Sequence, residues 1–521
     1  MNHWIIAPVI LPALLAPLIA FVMRHDIVLA RAASSVGTLV LLAISVGLTI
    51  MAADGGVHVY YLGNWPAPFG IVLVLDRLSA LMVLLTALLA VIVLFHAIAT
   101  GWDKRGNHFH ALFQFQLMGI CGAFLTGDAF NLFVFFEVLL IASYGLMVHA
   151  GGKVRLQAGL QYVVMNLVGS TLFLFALGTL YASTGTLNIA DLIVQVQESK
   201  AGDDGLIRVA AMLLLIVFGV KAALVPLHFW LPATYANAPA PVAALFAIMT
   251  KVGAYAIIRI HGMAFGPENP ATGSLISDWL FVLALVTTAV GAIGVLGARR
   301  LGSLLSYAVI GSMGTLLLAV SVFDPYAMTT ALYYLVHSTF AAAALFLLTD
   351  LIIARRSNDW LGVQPATVQN GLFAALFFAG AIAMAGMPPL SGFLGKLMIL
   401  DALRSPELIG WAWTAILLGS LLTILGFAQA GSVLFWKSTA STASDLGKAA
   451  DAPGDQAKPD TDSLPATALV IAPSMMALCV LAALTVMAGP VTTYLEATSA
   501  QLYDSSSYVD AVLNGNSREA K

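Results

Sequence analysis

Three observations predict an all-α polytopic membrane protein. Only 9% of the 521 residues are Asp, Glu, Lys or Arg, against roughly 25% in soluble domains. Hydrophobic residues make up 60% of the chain, and the mean hydropathy is +0.94. Apolar runs of about 20 residues, the length that crosses a bilayer core, recur along the chain. So few polar side chains cannot cover such a core in water, which excludes a soluble enzyme. The formal net charge of −3 carries no basic excess to hold phosphates, which excludes a nucleic-acid partner.

Taken in order, the runs give about 14 transmembrane helices. Span one is 4–23: its lead, Met1-Asn2-His3, has no basic n-region, and the run outlasts a signal-peptide core. Spans two to six fall at 30–53, 71–99, 109–127, 129–149 and 159–182, parted by charged turns such as Lys104-Arg105 and Lys153 to Arg155. Span seven, 206–236, is too long for a simple crossing and holds Pro226 and Pro232. Spans eight to eleven are 240–262, 276–297, 302–322 and 327–354. Span twelve, 370–401, is again overlong and holds Pro388-Pro389, then Ser391, Gly392 and Gly395. Spans thirteen and fourteen are 409–436 and 466–490. Proline removes a backbone donor, so spans seven and twelve should break at membrane depth.

The two breaks lie five spans apart. Spans four to eight and nine to thirteen therefore read as two copies of one five-helix unit, and an odd number of helices turns the second copy upside down. Inverted repeats with paired broken helices mark transporters, and the breaks mark the ion pathway. The expected division is 1–108 for spans one to three, 109–262 and 276–436 for the repeats, 437–465 for a flexible cytoplasmic loop, and 466–521 for span fourteen and a tail. Thirteen Lys and Arg fall on one side of the spans and seven on the other. The richer side is the cytoplasm, which puts both termini outside the cell.

Four charges sit where lipid should forbid them. Glu137 lies about 13 Å of helix from Asp128 and about 18 Å from His149, near the midplane. Lys221 precedes Pro226 by five residues, Lys251 lies inside span eight, and Lys396 follows Pro389 by seven. Each costs roughly 2.5–3.5 kcal/mol to insert. Together they cost about 10–14 kcal/mol, as much as an ordinary domain's whole stability. Structural pairing would leave three lysines against one acid, so these four are assigned to proton movement. An approaching carboxylate favours a charged amine and burial favours a neutral one, which makes Glu137 and Lys221 a proton-affinity switch.

The histidines grade downward. His337, beside Ser338 and Thr339 in span eleven, suits a relay between lysines. His228, two residues past Pro226, supports the broken helix or carries protons. His96, His108, His110 and His149 read as interfacial, and Asp76-Arg77 as interfacial or inter-subunit contacts. Cys121 and Cys479 are too few for an iron–sulfur cluster and read as small core residues. No CxxC, HExxH, P-loop or GxGxxG occurs, and neither a metal nor a cofactor is expected.

The motifs Phe133-x-x-Phe136-Glu137, Lys221 with Pro226-Leu227-His228 and Trp230-Leu231-Pro232, Ala238-Pro239-Ala240-Pro241-Val242 before Lys251, and Gly386-Met387-Pro388-Pro389 with Gly392-Phe393 and Lys396 resemble a known family. It is that of the antiporter-like subunits of Mrp-type multisubunit cation/proton antiporters and respiratory complex I. The stretch Asp128 to Leu146 is most similar to the D subunits of the Mrp type. Lys396 stands where the M-type complex I subunits usually carry Glu, whereas the N-type carries Lys. The resemblance implies a Na⁺/H⁺ antiporter subunit (Li⁺ or K⁺ in place of Na⁺ being open) in a bacterial cell membrane, driven by the proton motive force. The implied partners are Mrp subunits A, B, C, E, F and G, with Glu137 and the lysines moving protons. A proton-pumping subunit of complex I or of a membrane-bound hydrogenase is the alternative.

Overall fold

The computed structural model describes residues 2–198, 204–437 and 465–519. Eleven of its helices are long and apolar enough to cross a membrane, by length and composition. Three shorter apolar helices, Ala7–Phe21, Phe109–Leu125 and Asn370–Ala385, fall on expected spans one, four and the first half of twelve. Spans six (Lys153–Thr184) and thirteen (Ile409–Trp436) are mostly unburied, and span five (Ala129–Met147) is about half-buried. Span eight (Ala240–Ala264) is wholly buried, and span eleven (Pro325–Arg356) nearly so. These two central helices carry Lys251 and His337.

Both overlong spans break as their prolines require. Span seven runs as Asp204–Ala222, crosses the cis Val225-Pro226 bond and a short turn at Leu227–Phe229, and resumes as Trp230–Asn237. Span twelve runs as Asn370–Ala385, crosses the cis Pro388-Pro389 bond, and resumes as Ser391–Ala402. The freed backbone groups find partners. Val225 donates its N–H to Thr287 Oγ1 of span nine (Leu275–Gly297) at 3.0 Å, and the Trp230 indole donates to the Val220 carbonyl at 3.0 Å. Unpaired backbone in lipid would cost several kcal/mol per group.

The two repeats share backbone signatures as well as breaks. Asp128, at the head of span five, pairs antiparallel with Asn188, through Ala129 N–H to Leu187 O and Ile189 N–H to Gly127 O. Arg300, at the head of span ten (Leu301–Val320), pairs with Trp360 in the same way, through Leu301 N–H to Asp359 O and Leu361 N–H to Arg299 O. Spans eight and thirteen, the last of each repeat, both carry a π-helical turn near their C-terminal ends, Ile257–His261 and Ser432–Trp436. Such turns concentrate at functional sites.

Some expectations need correcting. Span three starts at Arg77, because Val72–Leu75 forms a strand paired with His58–Tyr61. Asp76 then caps the helix through Ser79, a capping box that ends the strand. The tail after span fourteen (Ala468–Val486) is two more helices, Ala488–Tyr503 and Ser505–Glu519. Val491, Leu495 and Leu502 fall on one helical face and pack on the main core, which is why this stretch folds back. The Tyr61 hydroxyl fastens the last helix by donating to the Val512 carbonyl at 3.0 Å. The expected flexible loop at 437–465 lies almost wholly outside the described residues.

Candidate functional site

Glu137 sits half-buried on span five and accepts a hydrogen bond from Ser170 Oγ of span six. Lys221, in the last turn before the span-seven break, is buried at 7% exposure. Its ammonium donates to Asn166 Oδ1 of span six at 2.6 Å and lies 5.8 Å from the Phe136 ring centre. Glu137 and Lys221 thus hold separate partners and do not touch. Asn166 and Ser170 stand one turn apart on span six, one holding the cation and the other the anion. Beside Lys221 lies a cavity of about 10 Å³ lined by Tyr162, Asn166, Trp230 and Met249, near the size that admits one water.

Lys251 has no exposure at all, and its Nζ has no hydrogen-bond partner among the described residues. An unpaired buried ammonium is costly, so this position has to be served by water or by a neutral amine. Gln116 of span four, whose amide donates to Met249 Sδ at 2.8 Å, leaves its Oε1 buried and unpartnered. Gly253 brings spans seven and eight together: a Cβ there would lie 2.6 Å from Ala222 N and 2.9 Å from Lys221 Cβ.

On the far side, His337 is buried at 1% exposure, and Nδ1 meets Ser391 Oγ at 2.9 Å. The expected hydroxyl neighbours Ser338 and Thr339 instead bond back to Leu335 O of their own helix. The hydroxyl that serves His337 comes from the first residue of the half-helix past the span-twelve break. Gly392 is needed there, since any Cβ would collide with Ala383 O and lie 2.7 Å from His337 Nε2. Gly395 lets span twelve close on Tyr334, 3.0 Å from where its Cβ would be. Lys396 reaches back across the break and donates to Ala385 O, at the end of the first half-helix, and to Ser420 Oγ, both at 2.8 Å. A helix C-terminus carries partial negative charge, which suits a cation. A cavity of about 20 Å³ lined by Thr288, Ser312, Thr315 and Tyr334 adjoins Lys396.

Of the expected residues, the row Glu137, Lys221, Lys251, His337 and Lys396 is spread over five spans, with Lys221, Lys251 and His337 buried, Glu137 and Lys396 half-buried, and Pro226 and Pro388-Pro389 at the two breaks. His228 is half-buried on the Leu227–Phe229 turn with Nδ1 unpartnered, and no hydrogen bond among the described residues joins it to the row. Asp76 is not interfacial. It is buried and forms a bidentate pair with Arg259 of the span-eight π turn at 2.5 and 2.8 Å. Nor are three of the histidines. His96 meets Asp350 at 2.9 Å, His110 meets Asp103 at 3.1 Å, and His149 meets Trp102 O at 2.8 Å, all buried. Burial alone would push the Asp103 carboxyl up, but hydrogen bonds and charge from Arg31 and His110 outweigh it and hold Asp103 at about 2. Cys121 is buried as expected, whereas Cys479 is exposed.

Residues 126–425, more than half of the chain, match the family model described as NADH:quinone oxidoreductase/Mrp antiporter, transmembrane. The D subunit of a probable K(+)/H(+) antiporter of Rhizobium meliloti is 37% identical, over 99% of this chain and 98% of that protein. The D subunit of the Na(+)/H(+) antiporter of Bacillus subtilis is 41% identical, over 77% of this chain and 80% of its own length. In the solved structure of the Mrp complex from Dietzia sp. DQ12-45-1b, one chain superposes with a TM-score of 0.86 at 30% identity, covering 98% of this chain and all of that one. With the broken spans, the buried lysine row and these matches in hand, the chain belongs to the transmembrane family shared by NADH:quinone oxidoreductases and Mrp antiporters.

Proposed function

We propose that this chain is the proton-translocating D subunit of a multisubunit monovalent-cation/proton antiporter driven by the proton motive force. The observation that carries the reading is Lys251: a wholly buried amine with no fixed partner among the described residues, on the span that packs against the Lys221 turn through Gly253. Such a group serves no structural pairing. It suits a proton that arrives and leaves. Lys221 rests on the neutral Asn166 with Glu137 one step away on Ser170, so a small shift brings it under the carboxylate, where the charged amine is favoured. From there the proton passes through water to Lys251, then by His337 to Lys396. The imidazole can accept at one nitrogen and donate at the other.

In this reading both termini face outside a bacterial cell membrane, the exported ion is Na⁺ or K⁺, and subunits A, B, C, E, F and G complete the complex. The test is cation-dependent proton flux in everted vesicles carrying the whole complex, together with the subunit composition and cofactor content of the purified complex. Cation-dependent collapse of the pH gradient, with small hydrophobic partners and no redox groups, is expected. Copurification with iron–sulfur or quinone-reactive subunits, without antiport, overturns it in favour of a redox-driven proton pump.

A further inference from the structure

Away from the lysine row, on the Lys- and Arg-rich side, spans one, two and four and the turns between them line an open cavity of about 300 Å³. Its floor is apolar: Ile19 and Ala30 belong to a small hydrophobic cluster separate from the main core, with Met23 packed against it. Its rim is cationic. Arg24 and Lys104 are exposed on it, and neither side chain has an acceptor among the described residues. Span four begins here without a side-chain cap: the side chain of His108, its N-cap residue, accepts no hydrogen bond from the helix. The first amides of Phe109–Leu125 are therefore left to an outside acceptor, as anion sites at helix N-termini use them. His110 supplies a fourth element. It is 3% exposed, it lines the cavity, and with Nε2 on Asp103 its Nδ1 is left buried and unpartnered. The two nearby carboxylates are already engaged, Asp103 by Arg31 and His110, and Asp26 by the amides of Val28 and Leu29.

The geometry points to a binding site for the phosphodiester of an anionic phospholipid. The phosphate sits between Arg24, Lys104 and the head of span four, and an acyl chain runs along Ile19 and Met23. The apolar floor decides for a lipid over a free anion. Basic pockets between transmembrane helices at this level hold lipid headgroups.

The experiment is native mass spectrometry of the whole complex, delipidated and then titrated separately with phosphatidylglycerol, phosphatidylcholine and inorganic phosphate. Phosphatidylglycerol should occupy the wild type well before phosphatidylcholine does. Arg24→Ala/Lys104→Ala should weaken it about 30-fold, at about 1 kcal/mol for each cation near the surface, with assembly and antiport unchanged. His108→Asp covers the case where the double variant fails to assemble. Aspartate tolerates the left-handed backbone that His108 adopts, φ +65°, and its charge should expel the lipid. Equal occupancy by both lipids, or undiminished phosphatidylglycerol binding in the variants, overturns the proposal. So does inorganic phosphate binding at the same concentrations as the lipid, which would make the ligand a free anion.

Discussion

The two broken spans solve one problem with different chemistry. In span seven the lysine stands before the break, and its surroundings include an acid: Lys221 holds Asn166, with Glu137 close by on Ser170. In span twelve the lysine stands after the break and reaches back, and both of its partners are neutral, Ala385 O and Ser420 Oγ. Span ten, the counterpart of span five, carries no acid between Leu301 and Val320. Under the proposed function, the first half would trap a proton by charge and the second would pass it between neutral acceptors, which gives the proposed path a direction.

The largest effect expected is from the lysines themselves. Lys221→Ala and Lys396→Ala should each assemble and each lower antiport by at least about tenfold, worth about 1.4 kcal/mol of barrier. Near-normal flux in everted vesicles from Lys396→Ala, at equal expression, would confine transport to the first repeat and break the comparison. Next comes Glu137→Gln, also expected to cost about tenfold or more. Groups acting as one unit are non-additive, so the double variant with Lys221→Ala should be no worse than the worse single one. Losses that multiply would make the acid and the lysine independent. Third, Asn166→Ala removes the hydrogen-bond partner of Lys221 and should slow transport about fivefold, within the net range for a typical hydrogen bond. The smallest effect belongs to Ser420→Ala, about twofold, because Ala385 O still holds Lys396. If rates measured side by side rank Ser420→Ala above Asn166→Ala, the two lysines are not held as described.

Much of this is legible in the sequence because lipid makes the rules strict. Apolar length marks the spans, proline marks both breaks, and charges at midplane mark Glu137 and the three lysines. What escapes is the set of neutral partners. Tyr162, Asn166 and Ser170 recur every four residues on span six, a polar stripe on an apolar helix. That spacing is a signal for the face toward span five, but no charge draws attention to it. Gly253 escapes because its role is the close approach of another helix, which only the fold reveals. Asp76 misleads because adjacency to Arg77 in sequence hides a partner 183 residues away, Arg259. The histidines at the Lys- and Arg-rich boundary mislead similarly, since the acids of His96 and His110, Asp350 and Asp103, come from other segments.

The matching bridges at the heads of spans five and ten are made only of main-chain groups, N–H of Ala129 and Leu301 to carbonyls of Leu187 and Asp359. Around the shared main-chain pattern the side chains differ: Asp128 and Asn188 cap helices in one half, and Arg300 pairs with Asp359 in the other. The main-chain pattern itself is sensitive to length. A single inserted residue on either strand shifts the alternation of inward and outward groups by one, which swings the head of a pathway helix out of place. These four short stretches should therefore accept almost no insertion or deletion, the reverse of what surface loops usually tolerate.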